Sequence, residues 1–404
     1  MKILIPFLIL AIIIILFNGC KKSDNGIVQP PITQSGVPQW GMFRHDARHT
    51  GNVNTPIEGI TGPSGDSVTI KWRIPIDGSL IGTPAIGNDG TIYIGTDNLV
   101  RWDSSSFYAI NPDGSIKWRY TPINRMWSSP AIGNDGSIYV GVISDGIAGG
   151  LYAFSSTGQL EWIHNPGEDI VSSPAVGKDG TIYYTTYKFL EAVNPTDGSL
   201  KWDLSGGDGY CSPSISSDGT IYYSSYGTLT AVNPNGTIKW TYVDSNSTNM
   251  DPFGIEIGAD GTIYFVSTRS RYLSAVNTNG KLKWKYLLEI ISADPCLDNM
   301  GNIYAATYEF NCIDSTGNLK WNAQFPFTPI NFNSPLAIGS NGFVYMGSSL
   351  YSALFAYNGQ NLMWMFGREY PYNDGGISAS PSIYNGSLYF AWDSGPYFYF
   401  YCLQ

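Results

Sequence analysis

The chain has 404 residues, a net charge of −10, only 13 % charged side chains and 14 % aromatic ones. An acidic surface argues against general nucleic-acid binding, which needs clustered Lys and Arg to displace counterions, and against an electrostatic grip on anionic lipid. Length alone would suggest two or three domains, but an internal repeat imposes a different organisation.

At the amino end, Lys2 precedes an apolar run from Ile3 to Phe17, followed by Asn18-Gly19-Cys20. The run is short for a membrane-spanning helix, which takes about 20 apolar residues. A charged start, an apolar stretch and a small residue before a cut describe an export signal. Leu16-Phe17-Asn18-Gly19-Cys20 resembles a bacterial lipoprotein signal, in which cleavage precedes the cysteine and lipid is attached to it. Residues 1–19 are therefore expected to be a signal peptide and Cys20 the lipid attachment point. Residues 20–38 contain Pro-Pro, Ser-Gly and few apolar side chains, the composition of a flexible tether. Residues 39–67 form a lead-in with His45 and His49 on either side of Asp46. Two histidines alone make a weak metal motif, so both are expected to pack or cap the entering chain.

From residue 68 onward one pattern recurs eight times. It is clearest at Ser129-Pro130-Ala131-Ile132-Gly133-Asn134-Asp135-Gly136-Ser137-Ile138-Tyr139, followed by Leu151-Tyr152-Ala153 and Trp162. Prolines at 84, 130, 174, 213, 252, 295, 335 and 381 mark the phase, as do Trp72, Trp118, Trp162, Trp202, Trp240, Trp284, Trp321 and Trp364. The tryptophans are 37 to 46 residues apart, the size of one four-stranded propeller blade.

Within the unit, the proline lacks a ladder donor and belongs to an edge strand lining a central channel. Asn134-Asp135-Gly136 closes a tight hairpin, and Ile138-Tyr139-Val140 has the β-branched and aromatic character of a strand. Asn194-Pro195-Thr196-Asp197-Gly198 turns the third strand into the fourth, which ends on the tryptophan. A Trp at one place in every unit is expected to pack between sheets rather than bind ligand. The last unit ends at Gln404 without a fourth strand, whereas Val68-Thr69-Ile70-Lys71-Trp72-Arg73 is a fourth strand without a unit. The expectation is an all-β, eight-bladed β-propeller over residues 68–404, its ring closed by the front segment.

Ala153, Thr157, Gly158 and Trp162, or Ala192, Asn194, Gly198 and Trp202, resemble the tryptophan-docking repeat of pyrroloquinoline-quinone-type propellers. The lead-in Trp40-Gly41-Met42-Phe43-Arg44-His45-Asp46 is also common in such proteins. The family includes quinoprotein alcohol dehydrogenases and the non-catalytic propeller lipoprotein of the outer-membrane β-barrel assembly machinery. The enzymes use adjacent cysteines, a calcium held by acidic and amide side chains, and an Asp base. This chain has five cysteines, none adjacent. It also lacks Gly-x-Ser-x-Gly, P-loop and His-Glu-x-x-His patterns. The resemblance thus implies a non-catalytic protein with no cofactor, pyrroloquinoline quinone being the one it would admit, over the channel near Trp127.

No metal site is expected either, since the Asp-Gly turns run into Thr-Ile-Tyr as hairpins do and lack the spaced ligands of a calcium loop. His164 stands alone and is expected in solvent. Cys211, Cys296, Cys312 and Cys402 fall in Ser and Ala slots and should behave as small buried residues. No disulfide is expected, because the second strand would separate Cys296 from Cys312.

Short uniform turns should lie on one face of the ring and the variable connections on the other. Variable loops on a rigid scaffold commonly carry recognition. The candidate ligand face comprises Arg125, Trp127, Tyr210, Arg269, Arg271, Tyr370 and Tyr372, of types favoured at binding hot spots. The sequence therefore points to an exported, lipid-anchored, monomeric propeller on the outer side of the cytoplasmic membrane or at the outer membrane. It would serve as a binding or assembly scaffold for an envelope protein. A quinone-dependent dehydrogenase and a carbohydrate-binding surface protein are the alternatives.

Overall fold

The repeat folds as eight antiparallel sheets of four strands each, and every regular element among the described residues is a strand. The structure is a computed structural model and describes residues 46, 62–63, 67–98, 105–143, 149–225, 227–244, 254–267, 271–288, 294–326, 334–348, 353–367, 376–377, 379–394 and 397–404. Blade two shows the plan. Its strands are Ala131–Ile132, Ile138–Val142, Gly150–Phe154 and Leu160–His164, paired in chain order.

The first strand is two residues long because Pro130 offers no donor before it and Gly133 already enters the turn after it, bonding the Ser137 carbonyl at 2.8 Å. First strands of neighbouring blades touch, as Ala131–Ile132 does Ala175–Val176. Second strands such as Ile138–Val142, Ile182–Thr185 and Ile221–Ser225 are buried along their whole length because a neighbouring blade covers each face. Fourth strands, such as Leu200–Ser205, alternate exposed and half-buried positions, as outer edges should.

The core is a set of seams between blades. Ile132 and Ile138 of blade two pack with Ala85, Tyr93 and Phe107 of blade one. The backbone also crosses the seams. The Thr83 amide donates to Ser129 Oγ at 2.7 Å, Ser129 to Ser173 at 2.9 Å and Ser173 to Ser212 at 2.9 Å. Each serine before the proline thus satisfies a buried amide of the preceding blade, which would otherwise be costly.

Blade eight is built from both ends of the described chain. Ser382–Tyr384, Ser387–Ser394 and Tyr397–Leu403 are completed by Ile70–Ile76, with Trp72 opposite Cys402 and Ile74 opposite Phe400. The closing strand runs to Ile76, three residues past the expected Arg73.

The proline phase needs two corrections. Glu256 pairs with Tyr264 as Ala131 pairs with Tyr139, so Ile255 holds the proline slot of blade five. Pro252 is three residues upstream, outside the described residues. In blade seven Ala337 pairs with Tyr345, which puts Leu336 in the slot and Pro335 one residue early. The cysteines follow expectation: Cys211, Cys296, Cys312 and Cys402 are free and buried, and Tyr304 of the second strand pairs with Cys296 on one side and Cys312 on the other.

Candidate functional site

The two faces of the ring are built differently. On the turn face, six of the eight repeat indoles donate across a seam to the third-to-fourth turn of the next blade. Trp72 donates to Pro112 at 2.9 Å, Trp118 to Ser156 at 3.0 Å, Trp162 to Pro195 at 3.0 Å, Trp202 to Pro234 at 2.9 Å, Trp240 to Thr278 at 2.8 Å and Trp284 to Ser315 at 2.9 Å. The tryptophans are therefore packing elements, as expected. For Trp364 the next blade is blade eight, whose third strand Tyr397–Leu403 is not joined by a turn to its fourth, Ile70–Ile76. The Trp364 indole nitrogen is buried without a partner.

The lead-in also meets this face. The Tyr345 hydroxyl donates to the Pro63 carbonyl at 3.1 Å, and Asp46 lines a cavity of about 190 Å³ with Lys178 and Ser217 of the blade three and four turns.

On the variable face, Arg125 and Trp127 come together over one acid. Arg125 Nε and Nη2 donate to Asp97 Oδ1 and Oδ2 at 2.8 and 3.2 Å, and Trp127 Nε1 donates to Oδ2 at 2.7 Å. The guanidinium also lies 5.0 Å from the Trp127 ring centre. Asp97 is fully buried, so its charge is tolerable only because a bidentate cation and an indole donor meet it. Both candidate residues thus clasp blade one to blade two, and the half-buried Trp127 ring is what they leave at the surface.

Tyr210 is 57 % exposed and Tyr187 is 39 % exposed. Their hydroxyls are 3.1 Å apart, and their rings meet edge-on at 5.6 Å. Partial burial, followed by this bond, raises the Tyr187 phenol above its usual value. Arg271 is exposed at the tip of the blade five hairpin with φ 59°, a left-handed conformation, and its carbonyl accepts the Leu288 amide at 2.7 Å. Arg269, Tyr370 and Tyr372 lie outside the described residues, as do Cys20, His45 and His49.

His164 corrects one expectation. It ends the fourth strand of blade two, its side chain is 15 % exposed, and Nε2 is 3.0 Å from Glu191 Oε2 of blade three. The Tyr184 hydroxyl donates to the same oxygen. Burial and then the Glu191 charge push that phenol upward. Sequence reading missed this cluster because Glu191 belongs to the next repeat. It also missed Asp97 and Asp393, although both stand four residues after the recurring Tyr of the second strand, Tyr93 and Tyr389.

The described cysteines are separate and buried in blade slots, and no three His, Cys, Asp or Glu side chains converge among the described residues.

These features define a closed eight-bladed propeller with docked tryptophans and one variable face. The family described as outer membrane protein assembly factor BamB matches residues 62–222. Among solved structures, quinohemoprotein alcohol dehydrogenase from Comamonas testosteroni aligns with TM-score 0.70 at 14 % identity, over 91 % of this chain and 80 % of that one. BamB from Moraxella catarrhalis aligns at 0.63 and 14 % identity, over 84 % and 100 %. Virginiamycin B lyase from Staphylococcus aureus aligns at 0.52 and 11 % identity, over 84 % and 99 %. No curated protein matches the chain. The chain is an eight-bladed β-propeller, and over residues 62–222 it is similar to the BamB family.

Proposed function

We propose that this propeller is a non-catalytic scaffold of the cell envelope, exported and lipid-anchored through Cys20, that grips another envelope protein by its variable face. Similarity to an outer membrane assembly factor supports the envelope and the assembly role. The observation that carries the choice of face is the contrast between the two rims. The turn face is spent on tryptophan docking and on its own lead-in at Asp46 and Pro63. The variable face presents an exposed pair, Tyr187 in the blade three hairpin and Tyr210 on the connector from blade three to blade four. Large, semi-rigid aromatics of this kind favour protein contacts.

The test is affinity capture of the full lipidated chain from detergent-solubilised envelopes. A specific envelope protein should be enriched by wild type and by Thr196→Ala on the turn face. It should be lost with Tyr187→Ala/Tyr210→Ala. Equal recovery by all three, or by none, would overturn the reading.

The alignment with the quinohemoprotein dehydrogenase over most of the chain favours one competitor. Incubation with pyrroloquinoline quinone and calcium, followed by dye-linked alcohol oxidation, separates the two. The scaffold reading expects no turnover, and quinone-dependent turnover would replace it.

A further inference from the structure

Asp97 and Asp393 occupy the same slot in adjacent blades. Each stands four residues after the recurring Tyr of its second strand, Tyr93 in blade one and Tyr389 in blade eight. Each uses its amide on the connector entering its own blade: Asp97 on the Ser79 carbonyl at 2.8 Å, Asp393 on the Gly376 carbonyl at 3.2 Å. Each sends its carboxylate to the connector entering the next blade. There the equivalence ends.

For Asp97 that connector supplies Arg125 and Trp127, seven and nine residues after the docking Trp118. For Asp393 the residues seven and nine after the docking Trp72 are Ser79 and Ile81. Ser79 Oγ donates to Asp393 Oδ2 at 2.9 Å, and Ile81 is 38 % exposed. Between them, Leu80 and Met126 keep the two connectors in one conformational register, both fully or almost fully buried. The acid is therefore retained while the cation that answers it one blade on is replaced by a short hydroxyl.

Arginines of the flanking strands are engaged elsewhere. Arg119 donates to Asp77 at 2.6 Å, and Arg73 lies 5.2 Å from the Tyr399 ring centre. Burial raises the Asp393 carboxyl to about 6, with the Ser79 bond opposing it. That is the behaviour of a carboxylate with no cation beside it.

The geometry points to Asp393 and Ser79, at the seam of blades eight and one, as a receptor for an arginine or lysine side chain of the protein that binds the variable face. The occupant is argued from the chain itself: Arg125 shows what fills this slot when the scaffold supplies its own cation. A guanidinium from outside would take the place its counterpart takes on Asp97, with Ser79 as a further acceptor. This site rests on the scaffold reading for its biological partner, but its chemistry is testable alone.

The experiment uses full-length protein labelled with ¹³C at the aspartate carboxyls, the Asp393 signal being the one missing from Asp393→Asn. The probe is the tripeptide acetyl-Gly-Arg-Gly-amide, with the neutral citrulline peptide as control. The Asp393 signal should shift saturably with the arginine peptide and not with citrulline. In Ser79→Arg, which fills the slot from within, the peptide should bind at least tenfold more weakly. No shift in folded wild type, or an equal shift with citrulline, would overturn the site. Capture of the envelope partner would be unaffected by that failure, so the two readings fall separately.

Discussion

Thr69 and Gln404 exchange both backbone hydrogen bonds, each at 2.9 Å, which joins the two ends of the propeller into one ladder. Below them Trp72, Ile74 and Ile76 face Cys402, Phe400 and Phe398. Ile70–Ile76 takes the outer position that a fourth strand holds in the other blades and covers Tyr397–Leu403. Deleting residues 62–76 would leave Tyr397–Leu403 as an unpaired edge. The shortened protein should associate with rising concentration in sedimentation velocity and unfold at a lower temperature. A monomer with an unchanged melting temperature would show that closure contributes nothing.

The tryptophan belt offers an internal control. Trp202→Phe keeps most of the half-buried ring but removes the donor to the Pro234 carbonyl, an exposed turn acceptor that water would then meet. The expected cost is about 1 kcal/mol in denaturant unfolding. Trp364→Phe removes a buried donor that has no acceptor, so it should be near neutral or stabilising. Equal losses at the two sites would contradict the docking account.

Glycines at positive φ separate strain from docking. Gly342 has φ +80° with open space around its missing Cβ, so Gly342→Ala should cost about 1 kcal/mol for conformation alone. Gly236 has φ +85°, and a Cβ there would lie 2.9 Å from the Trp202 ring. Gly236→Ala should therefore cost clearly more than Gly342→Ala, with a change in tryptophan fluorescence that Gly342→Ala lacks.

Asp393 sets a pH dependence whose sign is definite. Burial raises its folded carboxyl to about 6 from an ordinary 3.8. Between those values the folded chain holds a proton that the unfolded chain has released. Its contribution to stability therefore falls as pH rises from 4 to 6 and stays low above. Asp393→Asn keeps an acceptor for Ser79 and removes the charge. Relative to wild type, the variant should gain stability between pH 4 and pH 7, by on the order of 2 kcal/mol in urea unfolding. A difference that does not change with pH would place the acid in solvent.

The scaffold was legible because a blade is largely a local object. Tyr139, Asp135-Gly136 and Trp162 recur at spacings set by strand length and turn chemistry, and the missing last strand matched the surplus first one. What crosses a seam was harder to see. Glu191 stands 27 residues from His164 and Asp97 stands 28 from Arg125, so each pair joins different units and no within-unit spacing announces it. Pro252 and Pro335 misled for a related reason: the proline slot asks only for a residue that needs no ladder donor, and Ile255 and Leu336 fill it as well. The exposed Tyr210 was legible as a type, but not its partnership with Tyr187.

The central claim is that a protein partner sits on the variable face. Site-specific photocrosslinking in intact cells tests it most directly, with benzoylphenylalanine placed at Tyr210 on that face or at Asn235 on the turn face. The account predicts a discrete crosslinked envelope protein from position 210 and none from position 235. The reverse pattern, or crosslinks from neither position, would contradict it.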